Sequence, residues 1–185
     1  MDICGGFYRG KRVLVTGHTG FIGRWLFKVL DMAGASVVGY SIDVQTVDLD
    51  DIRNKSRLEQ VFAEVQPEIV FHLAAQTDVD YAKLDPAGTY ETNVMGVVNV
   101  LEASRKTKGV RSIVMASSNQ IYEEKDGPWA YRENDTLVGR DTLTTSKICV
   151  ESILKTYRNT FFKVYQGTAL SSARFGNVFG GGDYR

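Results

Sequence analysis

At 185 residues and 43% hydrophobic content, the chain is long enough for one well-buried core and too short for two domains of ordinary size. Its 22 Lys plus Arg balance 22 Asp plus Glu, so no overall field favours nucleic acid or a membrane surface, and no apolar run approaches the roughly 20 residues that cross a bilayer. Two cysteines without CxxC spacing (Cys4 and Cys149) and two histidines (His18 and His72) argue against a metal site, and Met1 to Gly10 carries no signal-peptide core, so a reducing, cytoplasmic setting is expected.

Short β-branched runs alternate with stretches of helical period, the pattern of a parallel sheet covered on both faces. The first predicted strand, Arg12 to Thr16, runs into the turn TGHTGFIG and then a helix whose Ile22, Leu26, Val29, Leu30 and Ala33 share one face. A second strand follows at Ser36 to Tyr40. The next helix carries Leu58, Val61, Phe62 and Val65 on one face, with Ser56 and Glu59 spaced as a capping box. A strand at Glu68 to Leu73 precedes a helix of about Gly88 to Ser104, marked by Tyr90, Val94, Val97, Val98 and Leu101. A strand at Arg111 to Ser117, a helix at about Thr145 to Tyr157 and a strand at Thr168 to Arg174 complete the pattern. No repeat, low-complexity tract or linker divides the chain. The expected fold is α/β: a Rossmann-type, doubly wound parallel sheet in three α/β/α layers, with its ligand crevice at the carboxyl ends of the strands.

The turn after the first strand carries the chemistry. Gly17 permits a tight turn, Gly20 lets the backbone approach a pyrophosphate, and Gly23 lets the helix pack closely, while free amides at the helix N-terminus face phosphate charge. Asp43 lies 20 positions beyond Gly23 at the end of the second strand. A carboxylate there accepts hydrogen bonds from an adenosine ribose and repels a 2′-phosphate, which favours NAD over NADP; a solvated loop acid is the alternative. A lone histidine such as His72, near an apolar strand, is expected to pack at the strand end. Trp129 and Tyr131 could line a sugar or base pocket or face solvent, and Cys149 is expected to be a buried helix thiol.

With TGHTGFIG, FHLAAQ (Phe71 to Gln76), TNVMG (Thr92 to Gly96) and ARFGNVFGGGDY (Ala173 to Tyr184), the chain resembles the extended short-chain dehydrogenase/reductase superfamily of NAD-dependent epimerases and dehydratases. Among its members it looks most like the CDP-glucose 4,6-dehydratases, on His18, PEIVFHLAAQ, YREND (Tyr131 to Asp135) and GNVFGGGDY. The resemblance implies NAD held by Gly17, Thr19, Gly20, Phe21, Ile22, Gly23 and Asp43. It places Asp51 and Ile52 beside adenine, and adds Leu73, Ala74, Ala75, Gln76, Asn93 and Lys147 to the cofactor set. Asn177 is expected to bind substrate of the CDP-hexose class. It also implies a homodimer, paired through the helices near Gly88 to Ser104 and Thr145 to Tyr157 as a four-helix bundle.

The family's catalytic positions are where the chain departs from the pattern. The Tyr of YxxxK is Leu143 in DTLTTSKICVE, although Lys147 is kept. The T-S-D-K segment that carries elimination reads Ser117, Ser118, Asn119, Gln120; the two amides have no useful acid or base character near pH 7. A shifted register in which Tyr122 supplies the phenol is the alternative. Asn93 matches the family Asn that bridges helix backbone to the active-site water, with an ordinary helix asparagine as the other reading. Family members also run on for more than a hundred further residues that build a substrate lobe, so residues 1–185 are expected to be the NAD-binding domain with that lobe absent or truncated. Three readings follow: a nucleotide-sugar dehydratase (lyase) with unusual catalytic residues, a non-catalytic nucleotide or partner-binding protein, or a cofactor domain that pairs with another chain. The chemistry favours the last two.

Overall fold

The computed structural model describes residues 3–42 and 50–183. Its sheet contains β1 (Arg12–Thr16), β2 (Ser36–Tyr40), β3 (Ile69–His72), β4 (Ser112–Ser118) and β5 (Ala169–Phe175), all parallel, in the order β2-β1-β3-β4-β5. The five predicted strands are thus present, β1 and β2 with the predicted bounds and the other three with ends displaced by one residue. The order reverses between β1 and β3, where Thr16 lies beside His72, and a crevice opens beyond their carboxyl ends at such a switch point.

Burial explains the near-continuous apolar character of β1. Val13 and Val15 point to one face with Leu30 and Ile69, under α1 (Phe21–Met32); Leu14 points to the other. That second face holds the larger core, where α2 (Lys55–Val65), α5 (Gly96–Lys106) and α6 (Thr142–Tyr157) bring Leu58, Phe62, Val97, Leu101, Val150 and Leu154 against Val70, Ile113 and Met115. Helices on both faces make the three-layer architecture that the sequence pattern predicts.

One short helix is absent from the sequence reading, and a second begins ahead of the predicted Gly88 start. The short α3 (Val79–Leu84) is capped by Asp78, whose carboxylate accepts from the Tyr81 amide at 2.8 Å, and α4 (Pro86–Tyr90) begins with proline at its first turn. The predicted Gly88-to-Ser104 helix is in fact α4, a wide π turn over Glu91–Met95, and α5, with helical backbone maintained through Glu91 and Gly96. The capping of α2 also differs from expectation. Asn54, not Ser56, is the N-cap, accepting from the Arg57 amide at 3.1 Å, and Glu59 instead meets Lys106 at 2.7 Å. A true capping box starts α6, where Asp141 and Thr144 satisfy each other's amides and move the helix start to Thr142.

Among the described residues no helix is long and apolar enough to cross a membrane, and no cluster of His, Cys, Asp or Glu could hold a metal ion. Cys149 is half-buried rather than buried, because it lies on a flank of α6 and not on the core stripe of Val150 and Leu154.

Candidate nucleotide site

A cleft of about 730 Å³ opens at the switch point. Its floor is the glycine turn. Gly17 sits at φ +72°, and a Cβ there would lie 2.6 Å from the Ala74 amide nitrogen, so glycine allows the turn to press against the end of β3. A Cβ at Gly23 would collide with the Gly17 carbonyl oxygen; the close approach it permits is of α1 to the turn itself rather than to the strand. Gly20 differs. It caps α1 in extended backbone, and among the described residues a Cβ would meet only the Gly17 carbonyl oxygen, at 3.3 Å. Its free side lines the cleft, next to amides of a helix whose N-cap makes no side-chain hydrogen bond. These are the conditions for phosphate oxygens to seat on backbone N–H groups.

The rest of the wall brings together most of the residues singled out from sequence. Thr19, Phe21, Ile22, Asp51, Ile52, Leu73, Ala74, Ala75, Ser117, Asn119, Gln120, Leu143, Lys147 and Asn177 all line the cleft. Asp43 lies outside the described residues. Gln76 and Asn93 stand behind the wall: Asn93 is buried, its Oδ1 accepts from the Gln76 amide at 2.8 Å, and its Nδ2 donates to the Gln76 carbonyl at 3.0 Å and to Ser146 Oγ at 3.0 Å. It clips the segment after β3 to α6, which a side chain in the wide turn before α5 is placed to do.

Asp51 accepts from the backbone and guanidinium of Arg53, the shortest contact being 2.6 Å. Burial alone would raise its carboxyl, but the hydrogen bonds and charge of Arg53 outweigh it and hold the group below its ordinary range. Ile52 lies nearly buried against Gly96, where any side chain would displace it. Lys147 reaches the cleft from α6, and loss of solvation lowers its ammonium from 10.5 to about 8.

Sequence reasoning missed two supports. His18 stacks its ring over Gly39 of β2 and 5.6 Å from the Phe27 ring, filling space that any β2 side chain would take; the Gly in SVVGY was the available signal. Arg174 of β5 donates to both oxygens of Glu151 at 3.1 Å, to the Tyr122 hydroxyl at 2.8 Å and to the Glu133 carbonyl at 2.9 Å. The Tyr122 ring stacks on Tyr131 with centroids 4.7 Å apart. Tyr122 is therefore tied up behind the Asn119–Ile121 turn and is not on the cleft wall, while Trp129, 87% exposed, borders a separate shallow hollow with Lys125 and Arg132.

His72 packs at the strand end as expected. Its Nδ1 lies 2.7 Å from Thr16 Oγ1, which also accepts from the Ala74 amide at 3.3 Å, so the pair joins β1 to the start of the Leu73–Ala75 segment. Burial first, and the Lys147 charge second, lower its imidazolium from 6.5 to about 3. The folded protein therefore binds fewer protons than the unfolded chain between those values. Stability present above pH 6.5 is lost as pH falls, by about 1.4 kcal/mol per unit from this group. Urea denaturation between pH 7 and pH 5, above most carboxylate titration, is expected to show that slope, and a His72→Gln variant to flatten it.

The chain matches the model of the NAD dependent epimerase/dehydratase family over residues 13–185. The chain belongs to this family. It is 41% identical, over 96% of its own length, to the CDP-glucose 4,6-dehydratase of Salmonella typhimurium, and 32% identical, over 81% of its length, to the UDP-glucose 4-epimerase of Mycolicibacterium smegmatis. It spans 55% and 52% of those relatives. Among solved structures it superposes on the Thermus thermophilus UDP-glucose 4-epimerase in complex with NAD, with TM-score 0.81, 32% identity, and 91% of this chain and 56% of that one covered. An epimerase from Methanothermobacter thermautotrophicus gives TM-score 0.83 at 29% identity, covering 97% of this chain and 56% of the other. As a family member, the chain carries the parallel-sheet fold that these structures share.

Proposed function

We propose that the protein is an NAD-binding, nucleotide-sugar dehydratase-like protein, of the CDP-hexose class, in which acid–base catalysis is impaired. One observation carries the reading: the cleft retains the phosphate turn and Lys147, while the positions matching the family's Tyr, Asp and Lys carry Leu143, Asn119 and Gln120, and all three line that cleft. The residues present suit NAD. The Gly17-to-Gly23 turn would cradle the pyrophosphate, Asp51 and Ile52 would offer an acid and an aliphatic surface to adenine, and Lys147 would meet the nicotinamide half, all of them residues that line the one cleft. NAD, when bound, supplies a hydride acceptor and donor. The chain's own groups bind and orient; a leucine and two amides cannot take or give a proton near neutral pH.

The 185 residues correspond to the cofactor half of the relatives, and the substrate lobe is assigned to length outside that half. A non-catalytic binding module is the second reading, favoured by near-isosteric, charge-removing replacements at two elimination positions. Homodimer formation is supported by Tyr81, Leu84, Tyr90 and Met95, which stand 36–86% exposed along α3, α4 and the wide turn. Purification without added nucleotide, followed by identification of the bound small molecule, is expected to yield NAD, and light scattering of the same sample a dimer mass. A different nucleotide, or a monomer at micromolar concentration, would refute the corresponding half.

A further inference from the structure

We infer that Asn99 of α5 is a positioning residue for the cofactor: its side-chain amide holds the Ile52–Arg53 backbone so that Asp51 and Ile52 stand as a preformed wall for the adenine ring. The inference rests on the NAD reading of the cleft and adds to it a residue that stands behind the wall rather than on it.

Residues 50–54 run from the cleft to the start of α2 with no strand or helix of their own, so their carbonyls depend on partners brought from elsewhere. Two elements supply them. From β2, the buried Tyr40 donates its hydroxyl to the Asp51 carbonyl at 2.8 Å, an oxygen it shares with the Asn54 amide at 2.9 Å. From α5, the half-buried Asn99 donates through Nδ2 to the Ile52 carbonyl at 3.1 Å and to the Arg53 carbonyl at 3.3 Å. A side-chain amide nitrogen carries two hydrogens, so it serves two consecutive carbonyls, which a hydroxyl with one hydrogen cannot do.

Gly96, one turn earlier on the same helix, completes the clamp. It leaves the space that the Ile52 side chain fills, so Gly96 admits the side chain and Asn99 fixes the main chain of one residue. Arg53 carries the hold across to the acid: its amide and guanidinium bind the Asp51 carboxylate, while its carbonyl is one of the two that Asn99 takes. Loss of the Asn99 donors therefore loosens the aliphatic and the acidic part of the wall together. A wall ordered before binding spares the affinity that ordering a loop would cost. It also sets base preference, because a fixed carboxylate beside the ring favours a base that presents an amino group there over one that presents an oxo group.

The test compares NAD with nicotinamide hypoxanthine dinucleotide, in which an oxo group replaces the adenine amino group, by calorimetry after bound nucleotide is removed, with a thermal melt of each variant. Asn99→Leu keeps the bulk of the side chain and removes both donors; Asn99→Asp keeps its shape and sets an acceptor against two carbonyls. The wild type is expected to prefer NAD by roughly tenfold. Asn99→Leu is expected to lose roughly tenfold in NAD affinity and most of that preference, and Asn99→Asp to lose more. Thr107→Val is the control. It removes the hydrogen bond from Thr107 Oγ1 to the Ala103 carbonyl at the far end of α5, and is expected to lower the melt without moving either affinity. Unchanged NAD affinity in a folded Asn99→Leu protein, no base preference in the wild type, or equal losses for the two dinucleotides would each overturn the inference. Failure of the wild type to bind NAD would instead refute the nucleotide reading on which it rests.

Discussion

Replacement of Gly20 by leucine is expected to weaken NAD binding at least a hundredfold while costing roughly 1 kcal/mol of stability as an apolar N-cap. Gly20 is the one glycine of the turn at which binding and folding separate. At Gly17 a side chain would meet the end of β3 in left-handed backbone, and at Gly23 it would strike the turn, so both variants damage the fold before any ligand is asked for. At Gly20 the backbone is extended, φ −70° and ψ 167°, a conformation open to any L-residue, and among the described residues the close neighbour of an added Cβ is a carbonyl oxygen at 3.3 Å. A leucine side chain fits the backbone and then projects into the space where phosphate must approach the amides of α1. Calorimetry of NAD binding, with a thermal melt to register folding, reads both quantities. Unchanged affinity in a folded Gly20→Leu protein would remove the pyrophosphate from this turn and with it the nucleotide assignment.

What the sequence made legible was local. Alternating strands and helices, and a strand running into three glycines and a helix, are patterns within some 20 residues, and each answers to a steric demand found in the structure. Capping was legible in kind but not in place: Ser56 and Glu59 have the right spacing, yet Asn54 caps α2, Ser56 lies inside the helix, and Glu59 pairs with Lys106, 47 positions away. Long-range partners explain the remaining misses. Nothing near Asn93 announces that it clips Gln76 to Ser146, and Arg174 reads as one more charge in ARFGNV until the sheet brings Glu151 and Tyr122 to it. Tyr122 in particular is an available phenol in the sequence and an engaged one in the fold.

The chain is expected not to dehydrate CDP-glucose, and repair of one position alone is expected not to restore turnover. Each missing general acid or base costs roughly a hundredfold to ten-thousandfold in rate, and three positions are affected. Leu143→Tyr would return a phenol one turn before Lys147, and a cation at that spacing favours the phenolate, so base character at this position is recoverable. Elimination needs a separate acid and base, and Asn119 and Gln120, side by side on the cleft wall after β4, remain amides in that variant. The decisive comparison sets the wild type and Leu143→Tyr beside the triple variant Leu143→Tyr, Asn119→Asp, Gln120→Lys, each with NAD and CDP-glucose, and measures the 4-keto sugar nucleotide. No product from the first two, and slow formation by the third, is the expected order. Product from the unmodified chain would mean that the cleft holds a working base other than those at 119, 120 and 143, and Lys147→Met in that background would then identify or exclude the lysine.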